Sequence, residues 1–418
     1  MFGKGALIYV AAISMIFSLY QMQLSKLTVE ASSAFNRRYM ETILHENAMN
    51  AMNIGINHVW ADDAMSDTLS IIAPPCTSLV VIDTLGLDTV FVKVTTITAV
   101  YDEEQYATDG KALSLRDSIY AYFAYHTPVS NYFWFVNTAA SNIYWISGDT
   151  VEGPMHCNSA IKTSGSPVFY GKVTARLGFS PSPTSRRNRA KYYGGWEVGV
   201  DVSLPTDMTP LHNAAVAGNA GATMNTKCLY DVDISLEFLP NGNVIRIVDG
   251  GAPDTVSVAS IAPTGVIYCA GDIHVQGTLN GSVTLYSGAD IWIDNDMVYA
   301  DDPRANPNSN DLLGLVSADD VIITNNAANN SDININASIM AGDKFYAEDY
   351  STRPNSGALN LTGSIGQNER GPVGTFSWWS GEIATGFSKR YHYDLRLAAA
   401  SPPNYPFVRA LKLVAWWE

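Results

Sequence analysis

The chain has 418 residues, of which 47% are hydrophobic and 16% are charged, and its formal net charge at pH 7 is −15. That much apolar sequence can form a large core, which excludes a disordered acidic protein. The negative charge argues against a nucleic-acid partner, because clustered lysines and arginines are what bind a phosphate backbone. We therefore expect two or three domains, or one elongated repeat structure with an extension.

The chain begins with an apolar run, Ala6–Tyr20, in which no charged residue occurs. No glycine or proline interrupts the sequence from Ala6 until Gly55, and the segment is rich in good helix formers. Apolar residues continue at steps of three and four, at Leu24, Leu27, Ala31, Ala34, Ile43, Leu44, Ala48, Ala51 and Met52. The sequence predicts one long helix over residues 6–60, apolar all round in its first third and one-sided afterwards.

This arrangement resembles the type IV pilin-like proteins, whose precursors have a short basic leader ending in glycine, then an apolar stretch within a long helix. The resemblance implies a leader over residues 1–5, with a cut between Gly5 and Ala6. Major pilins carry a glutamate five residues after the cut, where this chain has Val10. The resemblance therefore implies a minor, capping or otherwise atypical subunit.

In a pilin-like protein the helix first lies in the inner membrane and then packs against copies of the chain or other pilin-like subunits. The residues that would carry this assembly here are Leu7, Ile8, Val10, Ile13, Ile16, Phe17, Leu24 and Leu27. Two alternatives stay open. The run suits a secretory signal cut after Ala31, although about ten polar residues would then separate it from the cut. A retained anchor would have a similar sequence.

The composition of the sequence changes at Ser66. From there on, β-branched and aromatic residues alternate with polar ones, as in Thr89–Val94. Residues 66–140 are therefore predicted to be rich in strands. One helix is expected within them, over Leu113–His126, capped by Ser114 and with Ile119, Tyr120 and Phe123 on one side.

An internal repeat follows, in which an apolar strand, a small residue, an aspartate and a second strand recur. Its turn aspartates are Asp149, Asp272, Asp290, Asp320 and Asp343, and the last four lie 18, 30 and 23 residues apart. Repeats of this length predict stacked rungs. We expect a mainly β protein with a β-solenoid-like domain (parallel β-helix) over residues 141–400, a C-terminal cap over 401–418, and aspartates that accept hydrogen bonds from corner N–H groups.

The body also resembles an uncharacterised bacterial envelope family that joins a pilin-like helix to a β-domain. The resemblance rests on segments such as GVIYCAGDIHVQGTLNGSVTLYSGADIWIDNDMVYADDP and RGPVGTFSWWSGEIATGFSKRYHYDLRL, and it covers roughly residues 120–400. It implies a location in the cell envelope and supplies no catalytic residues.

No catalytic set, cofactor motif or metal-ligand cluster is recognised in the sequence. The pairs Asp301–Asp302 and Asp319–Asp320, with Asp294 and Asp296, are candidate glycosidase acids. Adjacent residues of a strand point to opposite faces, however, so such a pair alone does not form the two-carboxylate arrangement that glycoside cleavage needs. The cluster DNDMVYADD could hold Ca²⁺ but lacks the full loop signature. Cys76, Cys157, Cys228 and Cys269 are even in number and widely spaced, so their pairing is left open.

The sequence thus predicts a structural or adhesive pilin-like subunit of a surface filament, without enzymatic activity, cofactor, metal or nucleic-acid partner, and with carbohydrate binding left open. It would pass from the inner membrane to the cell surface. Two other classes remain: an anchored or secreted β-helix enzyme or binding protein acting on polysaccharide, and an envelope scaffold that forms no filament.

Overall fold

The computed structural model describes residues 3–62, 66–84, 89–100, 113–124, 127–140, 143–377, 383–408 and 412–417. The chain forms two compact units. Unit 1 comprises Met1–Tyr125 and Leu411–Glu418, and unit 2 comprises His126–Ala410.

The protein is mainly β with one long N-terminal helix, as the sequence predicts. Within the described residues the helices are α1 Gly3–Asp62, α2 Thr209–Gly218 and α3 Val258–Ile261. The strands are β1 Asp67–Ala73, β2 Cys76–Thr84, β3 Thr89–Val100, β4 Leu113–Ala124, β5 Thr127–Pro128, β6 Trp134–Thr138, β7 Thr150–Val151, β8 Met155–Cys157, β9 Ile161–Lys162, β10 Val168–Phe169, β11 Val173–Ala175, β12 Phe179–Ser180, β13 Lys191–Tyr192, β14 Trp196–Val198, β15 Leu229–Tyr230, β16 Ile234–Phe238, β17 Asn243–Val248, β18 Asp254–Ser257, β19 Val266–Cys269, β20 Ile273–Leu279, β21 Ser282–Ser287, β22 Ile291–Tyr299, β23 Leu312–Ser317, β24 Val321–Ile323, β25 Ile333–Ala341, β26 Phe345–Ala347, β27 Asn355–Glu369, β28 Gly374–Phe376, β29 Ile383–Tyr393, β30 Phe407–Val408 and β31 Lys412–Trp417.

The C-terminal part of α1 rests on the sheet of unit 1. Leu44, Ala48, Ala51, Met52 and Val59 are buried there, and most of them belong to one core with side chains of β2, β3 and β4. The helix continues through Gly55, where a Cβ atom would lie 2.7 Å from a methyl of Val80. A glycine at this point lets the helix lie close to β2, which outweighs its low helix propensity.

Unit 1 contains a five-stranded antiparallel sheet in the order β1, β2, β3, β4, β31. Lys412–Trp417, part of the segment predicted to cap the repeats, pair instead with β4. An apolar strand at the edge of this sheet covers backbone groups of β4 that would otherwise be unpaired.

The helix predicted over Leu113–His126 is wrong. Leu113–Ala124 form β4, paired residue by residue with β3 from Thr89 to Val100. Ile119, Ala121 and Phe123 are buried, each two residues from the next. Every second side chain of β4 is therefore buried against α1 and the neighbouring strands. This tertiary packing outweighs the helical spacing of Ile119, Tyr120 and Phe123 in the sequence.

Unit 2 contains a long run of parallel strands, here named ladder A. Its order is β15, β19, β21, β23, β25, β27, β6, β8, β11, β14. The early strands β6, β8, β11 and β14 thus follow β27, a strand from the later part of the sequence. Residues 199–228, which include α2, connect β14 at one end of ladder A to β15 at the other.

A second parallel run, ladder B, consists of β16, β20, β22, β24 and β26. The two ladders share one large core. Ladder A contributes the aligned row Ile267, Leu285, Leu315, Ile339, Ile365, and ladder B contributes the aligned row Ile234, Ile273, Ile291, Val321, Phe345, all of them buried. Each such side chain stabilises the fold by about 1.5–3 kcal/mol relative to exposure.

The opposite side of ladder A is also covered. Leu211 and Ala215 of α2, with Tyr405 and Val408, form a second core with Val266, Val316, Met340 and Phe135 of ladder A. Cys76, Cys157, Cys228 and Cys269 are buried free thiols. Cys228 and Cys269 contact carbonyl oxygens, those of Ala215 at 3.3 Å and Val232 at 3.0 Å.

Candidate functional site

The first half of α1 carries the residues predicted to drive assembly, and the structure leaves all of them exposed. The exposed fractions are 74% for Leu7, 72% for Ile8, 65% for Val10, 55% for Ile13, 67% for Ile16, 60% for Phe17, 48% for Leu24 and 64% for Leu27. Water does not stabilise an apolar surface of this size, since each such side chain gains about 1.5–3 kcal/mol when buried. The surface therefore needs lipid or other apolar helices.

Gly5 and Ala6, the predicted cleavage pair, lie in α1 and are exposed. Met1 and Phe2 of the predicted leader lie outside the described residues. The helix is long and apolar enough to cross a membrane, with a mean hydropathy of 1.6 in its most apolar window. A signal sequence near an N-terminus would have the same property.

The exposed apolar surface is longer than a bilayer core. It continues past Leu27 to Phe35 and Tyr39, which are 69% and 58% exposed. From Leu7 to Tyr39 an α-helix rises about 48 Å, against a hydrocarbon core of about 30 Å. Lipid tails alone would leave part of this surface uncovered.

The predicted turn aspartates form a second candidate site, a chain of hydrogen bonds between successive repeats. The Asp290 N–H donates to Asp272 Oδ1 at 3.1 Å, the Asp320 N–H donates to Asp290 Oδ1 at 2.9 Å, and the Lys344 N–H donates to Asp320 Oδ1 at 2.7 Å. Each carboxylate thus accepts the N–H at the same position of the next repeat. This arrangement fixes the turns relative to one another.

The spacing of the predicted turn aspartates did not identify the first member of this series of hydrogen bonds, here named the aspartate ladder. Asp233 Oδ1 accepts the Asp272 N–H at 2.9 Å. The sequence contains a signal for it, because Asp233 directly precedes Ile234 of β16 just as Asp272 precedes Ile273 of β20. Asp343 lies one residue before the ladder position, which Lys344 occupies. Asp149 accepts the N–H of Ile146 within its own turn, at 2.8 Å.

Three carboxylates approach one another within this ladder. Oxygens of Asp290, Asp319 and Asp320 all lie within 4.8 Å. The expectation that Asp319 and Asp320 point to opposite faces of a strand is wrong, because both lie in the turn between β23 and β24. Burial raises the pKa of Asp290 and of Asp320, and the charge of Asp319 raises both further. In each case the backbone N–H that the carboxylate accepts opposes the rise.

Replacement of Asp290 separates the hydrogen bond from the charge. In Asp290→Ala the half-buried N–H of Asp320 loses its acceptor, and we expect unfolding to become easier by about 1–3 kcal/mol. Asp290→Asn keeps an oxygen acceptor and removes repulsion, so it should match or exceed the wild type at neutral pH. Urea denaturation measures both variants. Equal losses in the two would contradict a hydrogen-bonding role.

The pH dependence follows from the direction of the Asp290 shift. An acid whose pKa is raised on folding binds its proton more tightly in the folded state, so acidification from the raised pKa towards 3.8 stabilises the wild type. Asp290→Asn lacks this contribution. Its advantage over the wild type should therefore shrink as the pH falls through that interval.

The other candidate acids, Asp294, Asp296, Asp301 and Asp302, have local partners. Asp294 accepts from Thr324 Oγ1 at 2.6 Å and lies 2.8 Å from His274 Nδ1. Asp296 accepts the Asn334 N–H at 2.8 Å. Asp302 forms an ion pair with Arg304, with 2.7 Å between Oδ2 and Nη2, and Asp301 accepts from Asn306. These bonds account for the acids as parts of turns and strands.

Comparisons with known proteins assign this chain to no family. No protein-family model matches the chain, and no curated protein matches it. Among solved structures, the crystal structure of the competence-associated pilin ComZ from Thermus thermophilus is similar, with 12% sequence identity over 85% of this chain and 86% of that chain and a TM-score of 0.34. A TM-score this low does not establish a common fold. The resemblance of the body to an envelope family stays a prediction.

Proposed function

We propose that this protein is a pilin-like structural subunit of a bacterial surface filament, held first in the inner membrane and then in the filament by α1. The observation that carries the proposal is the exposed apolar surface of α1 from Leu7 to Tyr39. The C-terminal part of the same helix is buried on its own sheet. The protruding part is therefore attached to a folded unit and presented to partners.

The length of this surface favours assembly over a simple anchor. A bilayer core would cover about 30 Å of it, and the remainder, around Leu27, Phe35 and Tyr39, needs apolar protein surface. In a filament, packed helices would cover the apolar side of α1 along this whole length. Partners would be copies of the chain, other pilin-like subunits, or both.

In this proposal unit 2 is a β-solenoid-like domain, in which ladders A and B are two faces of a parallel β-helix. The support is the regular parallel pairing of repeats, as in the aligned residues Cys269, Ser287, Ser317, Ala341 and Gln367. The role is structural or adhesive and not catalytic, with the outer surface of unit 2 exposed on the filament. No cofactor is required.

Cysteine cross-linking tests the proposed contact. The four native thiols are buried. A cysteine placed at exposed Leu24 would therefore be the accessible thiol on which an oxidant acts in intact cells. We expect Leu24→Cys to give disulfide-linked species with itself or with a second pilin-like subunit, identified by mass spectrometry. Thr206→Cys, at an exposed position of unit 2, is the matched control and should cross-link far less. An envelope scaffold without helix contacts predicts no adduct at Leu24.

A further inference from the structure

A pocket lies on the side of strands β25 and β27 that faces away from the large core of unit 2. Ile335 and Leu361 of these strands are fully buried in that core. The next residues, Asn336 and Thr362, pair with each other. They point to the opposite face of the sheet, because successive side chains of a strand alternate between its two faces. There they form the walls of the pocket together with residues of the loop between β22 and β23.

This pocket is polar and open at one end. Its volume is about 100 Å³, which is room for about three water molecules at about 30 Å³ each. Asp302 and Arg304 of the loop lie at its mouth, where their side chains are 38% and 57% exposed. Asn336 and Thr362 lie at its inner end, where they are only 5% and 3% exposed. The lining also includes Asn360.

The two polar side chains at the inner end lack hydrogen bonds. Among the residues that the structure describes, none forms a hydrogen bond with the amide of Asn336 or with the hydroxyl of Thr362. Buried polar groups almost always have a partner, either in the protein or in ordered water. Both residues belong to the wall of the pocket, so the groups that complete their hydrogen bonding enter through it.

A third polar group of the pocket is oriented by its neighbours. Asn360 Nδ2 donates to Asn334 Oδ1 at 3.1 Å, and Asn334 Nδ2 donates to Asp296 Oδ2 at 3.1 Å. An ionised carboxylate can only accept hydrogen bonds, so Asp296 fixes the direction of both amides. Asn360 Oδ1 is therefore left as an acceptor without a donor among the described residues.

The charges at the mouth of the pocket neutralise each other. Arg304 Nε lies 3.0 Å from Asp302 Oδ1, and Arg304 Nη2 lies 2.7 Å from Asp302 Oδ2. The guanidinium holds the pKa of Asp302 below its usual value, so the carboxylate stays ionised at neutral pH. The loop backbone is fixed as well, because the N–H groups of Ala305 and Asn306 donate to the Asp302 carbonyl at 2.9 and 2.8 Å. The pair therefore favours neither an anion nor a cation as ligand.

We propose that this pocket binds one sugar residue of a neutral glycan through Asn336, Asn360 and Thr362. A sugar hydroxyl both donates and accepts hydrogen bonds, and so do an amide and a threonine hydroxyl. Adjacent hydroxyls on one edge of the ring would replace the water that fills the pocket and take over its hydrogen bonds. The rest of the ring would project through the open mouth, past Asp302 and Arg304. The site lies in unit 2 and does not rest on assembly through α1.

Ligand-observed NMR of the full-length protein, kept in a detergent without a sugar headgroup, tests the site. Saturation transfer from the protein to the methyl glycosides of glucose, galactose, mannose and N-acetylglucosamine is measured over a concentration series. Cyclohexanol, a ring of similar size with one hydroxyl, is the control compound. We expect saturable transfer to at least one glycoside and none to cyclohexanol. If none of the four glycosides gave saturable transfer, the pocket would hold ordered water only and the proposal would be wrong.

Thr362→Val locates the binding in this pocket. The variant replaces the hydroxyl by a methyl group of similar size, so we expect the dissociation constant of the bound glycoside to rise about tenfold through one lost hydrogen bond. Thr150→Val, the matched control, removes an exposed hydroxyl of β7 outside the pocket and should bind the glycoside as the wild type does. Equal affinities in the two variants would overturn the proposal.

Thermal denaturation without sugar separates a ligand-binding role from a structural one. Because the Thr362 hydroxyl has no partner among the described residues, Thr362→Val breaks no internal hydrogen bond and should melt at the wild-type temperature or above it. A clearly lower melting temperature would mean that the hydroxyl stabilises the fold, against the proposal. Sugar binding by the purified protein needs no filament, so a negative result here would leave the proposed function standing, and failed cross-linking at Leu24 would leave this site standing.

Discussion

Replacing Ile13 by aspartate is expected to abolish incorporation of the protein into membrane and filament while both units stay folded. Ile13 is 55% exposed on α1 and lies in the apolar run. An aspartate at the centre of a spanning helix costs about 2.5–3.5 kcal/mol, and burial of the isoleucine is lost in addition. Together these reduce partitioning by two orders of magnitude or more. The measurement is the amount of the variant in membranes and in sheared extracellular material.

The matched control adds the same charge on the same helix outside the run. Ser33→Asp lies at an exposed position of α1, on the side of the helix that carries Glu30 and Arg37 and opposite Phe35. It should therefore be incorporated almost normally. Circular dichroism shows whether both variants keep their strands. If Ile13→Asp entered filaments at the wild-type level, assembly through α1 would be wrong.

Replacing Gly363 by alanine should prevent folding of unit 2. Gly363 pairs with Ala337 between β27 and β25, and an added Cβ atom would lie 1.9 Å from the Ala337 carbonyl oxygen. Its φ of +152° is also unfavourable for alanine. Because the obstacle is the backbone of the neighbouring repeat, the strands must separate. We expect a loss above about 4 kcal/mol, a large part of the stability of a typical domain.

Gly148→Ala separates the conformational cost from the steric one. Gly148 has a φ of +96° and no atom within 4 Å of an added Cβ, so its replacement should cost only about 1–2 kcal/mol. Limited proteolysis and urea denaturation compare the two variants. Similar stabilities would mean that β25 and β27 are not as closely paired as described.

The long helix could be predicted because its signal is local. Uninterrupted helix formers and spaced apolar residues are properties of consecutive positions, and burial of Leu44, Ala48 and Met52 follows the predicted stripe. The mistaken helix at Leu113–Ala124 shows the limit of such signals. There, pairing with β3 decided the conformation, and a single sequence does not show which strands will be neighbours.

The turn aspartates illustrate how repeat spacing carries information about the site. Asp272, Asp290 and Asp320 occupy one structural position, and the spacings of 18 and 30 residues identify it. The third spacing of 23 residues points to Asp343, whereas the structure places Lys344 there. An adjacent aspartate in the preceding turn, Asp319, made the two alignments indistinguishable in the sequence.

The order of ladder A could not be predicted. The sequence gives no sign that β6 lies beside β27, because this pairing joins segments more than 200 residues apart. The same pairing brings Trp134 to Tyr391, with 5.7 Å between their ring centres.

The mass of the N-terminal peptide of the native protein, measured separately in sheared extracellular material and in membranes, tests the filament proposal most directly. The account predicts a chain that begins at Ala6 in the sheared fraction, which would show cleavage after Gly5 and assembly through α1. A chain that keeps Met1 and occurs only in membranes would contradict it in favour of an anchor. A chain that begins at Ser32 would contradict it in favour of a discarded signal.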